Sequence, residues 1–235
     1  MINVRKISQI QRNEIMKVAI FGADGRTGTY VVDETLEAGY EVVAYVQFPD
    51  RLKRENSHLR IIKGTLTDSD SIDLAINGVD AVISVLGPSS NNAVFEISSG
   101  MERILSSMKA HGVRRIIATA GAGVSDPDDR PTIMSKFMNW LVQKLVKNVY
   151  EDMVRTVEMV RASGLDWTIV RVPTLTDHPK AGETKVGWVG KGMGRQVTRA
   201  DLVEFLVQQI EDQTYLQKAP VISIGKYPFS KRSKK

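Results

Sequence analysis

The sequence predicts an α/β protein built on a doubly wound parallel sheet, with helices on both faces and a small substrate region near its C-terminus. Three observations predict it. Short runs rich in Val and Ile alternate with stretches of helical period, the pattern of parallel strands joined by right-handed crossovers. Those runs are apolar almost throughout, as strands covered on both faces are. The first of them leads straight into the glycine-rich turn GADGRTG, residues 22–28, and from there into a helical stretch.

The elements follow in chain order. KVAIFG, from Lys17, is the first strand; a helix from about Arg26 to Ala38 follows, and Gly39 is its stop signal. EVVAYV, from Glu41, is the second strand. The basic connection RLKREN leads to LRIIKG as the third, and a helix over about Ser69 to Ile76 ends at Gly78. DAVISVL is the fourth strand, and a longer helix from about Ala93 to Ala110 closes at His111-Gly112 before the fifth strand, RRIIATA. Residues 132–163 read as one helix in which Phe137, Leu141, Leu145, Val149, Met153 and Val157 form a core-facing stripe. Gly164 stops it, and DWTIVRV is the sixth strand, ending at Pro173. The stretch 174–198, rich in Gly, Lys and Thr, reads as loops with one short strand around Lys185 to Val189. It is the expected substrate side, because ligands of such sheets bind beyond the carboxyl ends of the strands. A helix from Arg199 to Ile210 and the strand VISI complete a Rossmann-like order.

The domain plan is an extension over residues 1–15, a single domain over 16–225 and a basic tail over 226–235, since 235 residues suit one domain of this class better than two. A 42% hydrophobic share leaves enough material for one core. No unbroken apolar run approaches the roughly eighteen residues of a membrane span, and the first fifteen residues carry charges where a signal peptide is apolar. A cytoplasmic protein without a membrane partner is expected. The formal charge of +5 lies partly in the closing SKRSKK. No aromatic interleaving or basic helix face accompanies that tail, so a nucleic-acid partner is not expected and anionic small ligands suit the balance better. The absence of cysteine removes disulfides and thiolate chemistry. No His and carboxylate cluster has metal-ligand spacing, so no metal is expected. Redox chemistry would need a borrowed cofactor.

The glycine turn is the strongest chemical signal. A strand that turns straight into a helix needs glycine where φ is positive or where a ligand presses on the backbone, and the helix directs its unpaired N–H groups at the turn. Gly22, Gly25 and Gly28 fit these needs, with a pyrophosphate as the matching ligand and Gly28 allowing the helix to lie close to the sheet. Asp24 stands where G-x-G-x-x-G has its second glycine, which marks a variant of the motif.

GADGRTG after a first strand, SMKAHGVRRIIATA, and RASGLDWTIVRVP together resemble the atypical short-chain dehydrogenase/reductases. Within them the chain is similar to the NAD(P)H-binding group that includes the biliverdin-IX-beta (flavin) reductases and the NmrA-like proteins. The resemblance runs from about Lys17 to Ile224 and implies a Rossmann domain that binds NAD(P)(H). It places the cofactor along Gly22, Ala23, Asp24, Gly25, Arg26, Thr27 and Gly28. It also implies that Thr65 and Leu66 border the adenine, that Leu86 and Gly87 run beneath the ribose and nicotinamide, and that Thr119, Ala120, Gly121, Pro173 and Thr174 frame the nicotinamide.

An NAD site places a carboxylate at the end of the second strand, whereas a 2′-phosphate needs guanidinium or ammonium groups there. Gln47 stands at that end, with Arg26 and Arg51 near it, which favours NADP(H); relatives often carry arginine at the position of Gln47, and Asp50 keeps NAD(H) open.

Most short-chain dehydrogenases use a Tyr-x-x-x-Lys pair to move a proton. No such pair occurs: Tyr150 is followed four residues later by Val154, and Arg155 is one place too far. Gly121 stands where the flavin reductase branch has a serine. No catalytic residue is therefore assigned, with Thr119 and Ser125 the nearest hydroxyls, His178 and Trp188 the other candidates for touching substrate, and His58 and His111 read as loop and helix-end residues. Without a fixed acid, a planar acceptor such as a flavin or quinone is the first expectation, because solvent can protonate its delocalised reduced form. A non-catalytic dinucleotide sensor that docks to a partner is the second, and a nucleotide-sugar epimerase or dehydratase ranks below both.

Overall fold

The computed structural model describes residues 15–87, 95–133, 144, 146–190 and 192–224. The extension over 1–14, the tail beyond Ile224, the first two residues of the helix expected from Ala93, and the stripe residues Phe137, Leu141 and Leu145 lie outside the described residues.

The expected alternation is present. Strands β1 (Lys17–Phe21), β2 (Glu41–Val46), β3 (Leu59–Lys63), β4 (Ala81–Ser84), β5 (Arg115–Gly121) and β6 (Asp166–Val172) are joined in part through helices α1 (Arg26–Glu37), α2 (Ser69–Ile76), α3 (Glu96–Ala110) and α4 (Lys147–Ala162). After β6 come β7 (Thr174–Thr176), β8 (Thr184–Gly187), β9 (Gln196–Thr198), helix α5 (Arg199–Gln208) and β10 (Val221–Ile224). The eight-stranded sheet runs β3-β2-β1-β4-β5-β6-β10-β8, and every pairing is parallel except that of β8 with β10. This is a Rossmann-like doubly wound order, with β1 between β2 and β4.

Alternation within single strands builds the two sides. In β1, Ala19 and Phe21 join a core with Val43, Ile76, Val82, Met108 and Ile116 under α2, α3 and α4. Val18 and Ile20 join the opposite core with Val31, Val42, Ile83, Ile117, Leu202 and Leu206 under α1 and α5. Successive side chains of a strand point to opposite faces, so a run apolar at every position serves both cores. Strand β3 departs from this, because at the sheet edge Arg60, Ile61 and Lys63 remain exposed.

Three other expectations are corrected. The loop-rich reading of 174–198 gives way to three short strands, with β8 extending the main sheet over Thr184–Gly187 rather than 185–189, and β7 and β9 pairing in parallel as a separate ribbon. The helix expected to Ile210 ends as α5 at Gln208, and of the one expected over 132–163 the part after the turn at Val146 is α4, Lys147–Ala162, whereas residues 134–143 and 145 lie outside the described residues. The core stripe also divides: Val157 is buried in the core, whereas Val149 and Met153 line a cavity. Among the described residues no helix is long and apolar enough to cross a membrane, and no group of three His, Cys, Asp or Glu is placed to hold a metal.

Candidate cofactor and substrate site

The glycine turn sits at the carboxyl end of β1, where the sheet order reverses direction between β1 and β4. Gly22 has φ +81°, and a Cβ there would lie 3.2 Å from the Val85 carbonyl. A Cβ on Gly28 would lie 2.0 Å from the Gly22 oxygen, so α1 rests against the turn with no room for a side chain. Gly25 is the N-cap of α1, and no side chain caps that end. The first N–H groups of the helix are thereby left to an anion. The tight cradle and the uncapped helix end fit a dinucleotide diphosphate. Asp24 is not a misplaced glycine: its Oδ2 accepts from the Phe48 N–H at 2.9 Å and ties the turn to the end of β2.

At that corner Gln47 and Phe48 are exposed, and the Arg51 guanidinium lies 4.3 Å from the Phe48 ring centroid. Arg54 is engaged with both carboxylate oxygens of Asp33, at 2.8 and 2.9 Å. Among the described residues no carboxylate lies within ion-pair distance of Arg51. Thr65 is exposed, with its carbonyl accepting from Tyr45 Oη at 2.8 Å, and Leu66 packs on Gly100 of α3. Burial pushes the Tyr45 phenol up to about 12, with the Asp68 charge adding to the effect, so it is a poorer acid than a free tyrosine.

A cavity of about 300 Å³ opens beside the turn at the ends of β4, β5 and β6. Of the expected cofactor residues it brings together Thr27, Leu86, Gly87, Thr119, Ala120, Gly121 and Pro173; further lining comes from Met101, Val149, Met153, Leu175 and Leu202. Thr174 lies next to this wall, exposed at the start of β7. Polar lining consists of the hydroxyl residues Thr27, Ser84, Thr119 and Thr156 and of Asp152. Both oxygens of Asp152 already accept backbone N–H groups at the start of α3, from Ile97 at 3.1 Å and Ser98 at 2.9 Å. At Gly121, Met153 takes the space where a side chain would stand: its sulfur accepts from the Gly121 N–H at 2.9 Å, and a Cβ on Gly121 would lie 3.0 Å from that sulfur.

The remaining substrate candidates lie elsewhere. Ser125 and His178 are exposed and do not line the cavity. Trp188 lines a separate pocket with Trp167, Arg161 and Asp126. Tyr150 packs partly buried against the core, and the Arg155 guanidinium lies 4.1 Å from the Phe95 ring centroid, so the pair makes no substitute for tyrosine and lysine. Residue patterns did not single out Asp152, Asp177 or Arg199. The sequence signal available for Arg199 was Thr-Arg-Ala-Asp at the start of a helix, where a cation opposes the dipole.

A family model described as NAD(P)H-binding matches residues 22–213. Over 192 residues the chain is 30% identical to a dihydroflavonol 4-reductase of Arabidopsis thaliana, covering 69% of this chain and 50% of that protein. It is 28% identical to a cinnamoyl-CoA reductase 1 of Petunia hybrida, covering 69% of this chain and 55% of that one. The chain thus spans about half the length of these relatives. Among solved structures, a short-chain dehydrogenase/reductase of Veillonella parvula in complex with NADP superposes with a TM-score of 0.75 at 19% identity, over 94% of this chain and 100% of that one. ChuY, an anaerobillin reductase of Escherichia coli O157:H7, superposes with a TM-score of 0.70 at 15% identity, over 92% and 100%. These two likenesses show the fold.

Proposed function

Because the chain belongs to the NAD(P)H-binding family of atypical short-chain dehydrogenase/reductases, we propose that it is an NADPH-dependent reductase of a planar acceptor such as a flavin or quinone. The observation that carries this reading is the apolar cavity beside the glycine turn, whose one carboxylate, Asp152, is committed to capping α3. A bound dinucleotide would supply a hydride. The chain's part is to bind and orient: the N-terminus of α1 would hold the diphosphate, and Gly87, where a side chain would meet open space, would leave room beside the nicotinamide. The apolar wall of Met101, Val149, Met153 and Leu202 excludes water from an acceptor lying there. A carbonyl acceptor needs a proton at oxygen as the hydride arrives, and the cavity is lined by no tyrosine, histidine or lysine among the described residues. A flavin or quinone accepts the hydride into a delocalised anion that solvent protonates. Arg51, braced on Phe48, is the group suited to a 2′-phosphate and underlies the preference for NADPH.

The same lack of a fixed acid favours a second reading, a non-catalytic sensor of the dinucleotide. Oxidation of NADPH, followed by its absorbance with FMN, riboflavin and simple quinones and with NADH in parallel, separates the two. Saturable turnover supports the reductase; dinucleotide binding without turnover on any acceptor overturns it in favour of the sensor.

A further inference from the structure

Two guanidinium groups converge on one carboxylate in front of the glycine turn. Asp177, just past β7, accepts from Arg199 Nε at 2.9 Å through Oδ1 and from Arg26 Nη2 through Oδ2. Arg199 Nη1 donates in turn to the hydroxyl of Thr27, the second residue of α1 and part of the cavity wall. Arg199 is only 8% exposed. It is also the first residue of α5, where the positive end of a helix dipole makes a cation unfavourable. Burying a cation there without an anion is costly. Asp177 answers that need incompletely, since one carboxylate, more than half exposed, serves two guanidiniums.

The segment carrying Asp177 is anchored apart from this contact. The N–H groups of Ala181 and Gly182 donate to the Asp201 carboxylate of α5, at 3.0 and 3.3 Å, and Lys180 pairs with Glu204 at 2.7 Å. Release of the Asp177 carboxylate would therefore leave the strap attached to α5.

We propose that Arg199, together with Arg26, forms a side-chain half of the diphosphate seat, and that Asp177 is an internal anion holding the two guanidiniums until the cofactor's diphosphate replaces it. The inference rests on the dinucleotide reading of the site. A guanidinium offers five donors in a fixed fork and pairs with phosphate oxygens in two-point fashion. At Thr27 it stands beside the backbone N–H groups that the glycine turn directs at the same ligand.

The test is calorimetric titration of the full chain and of the variants Arg199→Met, Arg199→Lys and Asp177→Asn with NADPH, NADH, inorganic pyrophosphate and adenosine. Arg199→Met is expected to weaken the preferred dinucleotide by about tenfold to a hundredfold, the range of a charge-assisted hydrogen bond or two, with adenosine unchanged and Arg199→Lys intermediate. Asp177→Asn is expected to tighten pyrophosphate binding. Equal loss for the dinucleotide and adenosine would overturn the assignment, since a distorted fold spares neither; undiminished dinucleotide binding by Arg199→Met would overturn it too. Weaker pyrophosphate binding by Asp177→Asn would overturn the role of Asp177. If the unaltered chain binds neither dinucleotide, the cofactor reading itself falls, and this inference with it.

Discussion

Gly28 and Arg51 make different demands at the two ends of the proposed nucleotide site, one steric and one electrostatic. A methyl group at Gly28 would enter the Gly22 carbonyl, so Gly28→Ala is expected to cost about 1–3 kcal/mol of stability, the range for overpacking a close contact. It should also abolish saturable dinucleotide binding; thermal unfolding and a binding titration on the same sample check both. Arg51→Ala should leave stability unchanged, because the side chain lies exposed over Phe48. Its expected effect is a rise of about tenfold in the KM for NADPH and none for NADH, equivalent to about 1.4 kcal/mol at the 2′-phosphate. The glycines were legible in the sequence because their spacing encodes a backbone shape. Arg199 and Asp177 were not, because they meet the turn from 172 and 151 positions away.

The start of α3 is held by an element distant in sequence. Phe95 occupies the N-cap and contributes no side-chain hydrogen bond, and the carboxylate of Asp152, on α4, accepts the Ile97 and Ser98 N–H groups instead. Asp152→Ala leaves the buried Ser98 N–H and the half-buried Ile97 N–H without that acceptor and should destabilise the protein by about 1–3 kcal/mol. Urea unfolding measures the loss, and Asp152→Asn, whose amide oxygen still accepts, should recover part of it. Such a cap cannot be read from Phe95 and its neighbours, since its donor and acceptor stand 55 positions apart. By contrast Asp68, which caps α2 through the Ser71 N–H, lies next to its helix in the ordinary capping position. The six strands of the sheet's main run were legible for a similar reason, as each carries its own cluster of apolar residues between glycine or polar flanks, interrupted by Arg60 in β3 and by Thr168 and Arg171 in β6. Strands β7 and β9 were not: each has three residues, and their pairing with each other depends on the turn of the chain between them rather than on any pattern within them.

Across the whole molecule, one buried ion pair joins parts that the sheet alone does not hold together. Arg171 of β6, fully buried, donates from Nη1 and Nη2 to Asp129 at 2.7 and 2.8 Å, and from Nε to the Ala219 carbonyl at 2.7 Å. Asp129 also accepts the N–H groups of Asp126 and Val189, and Asp126 pairs with Arg161 near the end of α4 at 2.7 Å. The loop after β5 and the segment after β8 thus share one carboxylate, and the approach to β10 joins them through Arg171. Burial pushes the Asp129 carboxyl up, but the Arg171 hydrogen bonds and charge outweigh it and hold the group below the usual carboxylate range. A carboxyl with a lowered folded pKa contributes its stability above its unfolded value, about 3.9, and loses it as pH falls through the folded value. Asp129→Asn should therefore cost about 3–5 kcal/mol at neutral pH, the range for breaking a buried pair on one side. The gap to the unaltered chain should begin to narrow below about pH 4 and close only as pH falls through the lowered folded value, where protonation removes the same charge from Asp129. Urea midpoints of both proteins across an acid series measure that gap. A gap constant from neutral to acid pH would mean that the ionised pair does not account for the loss.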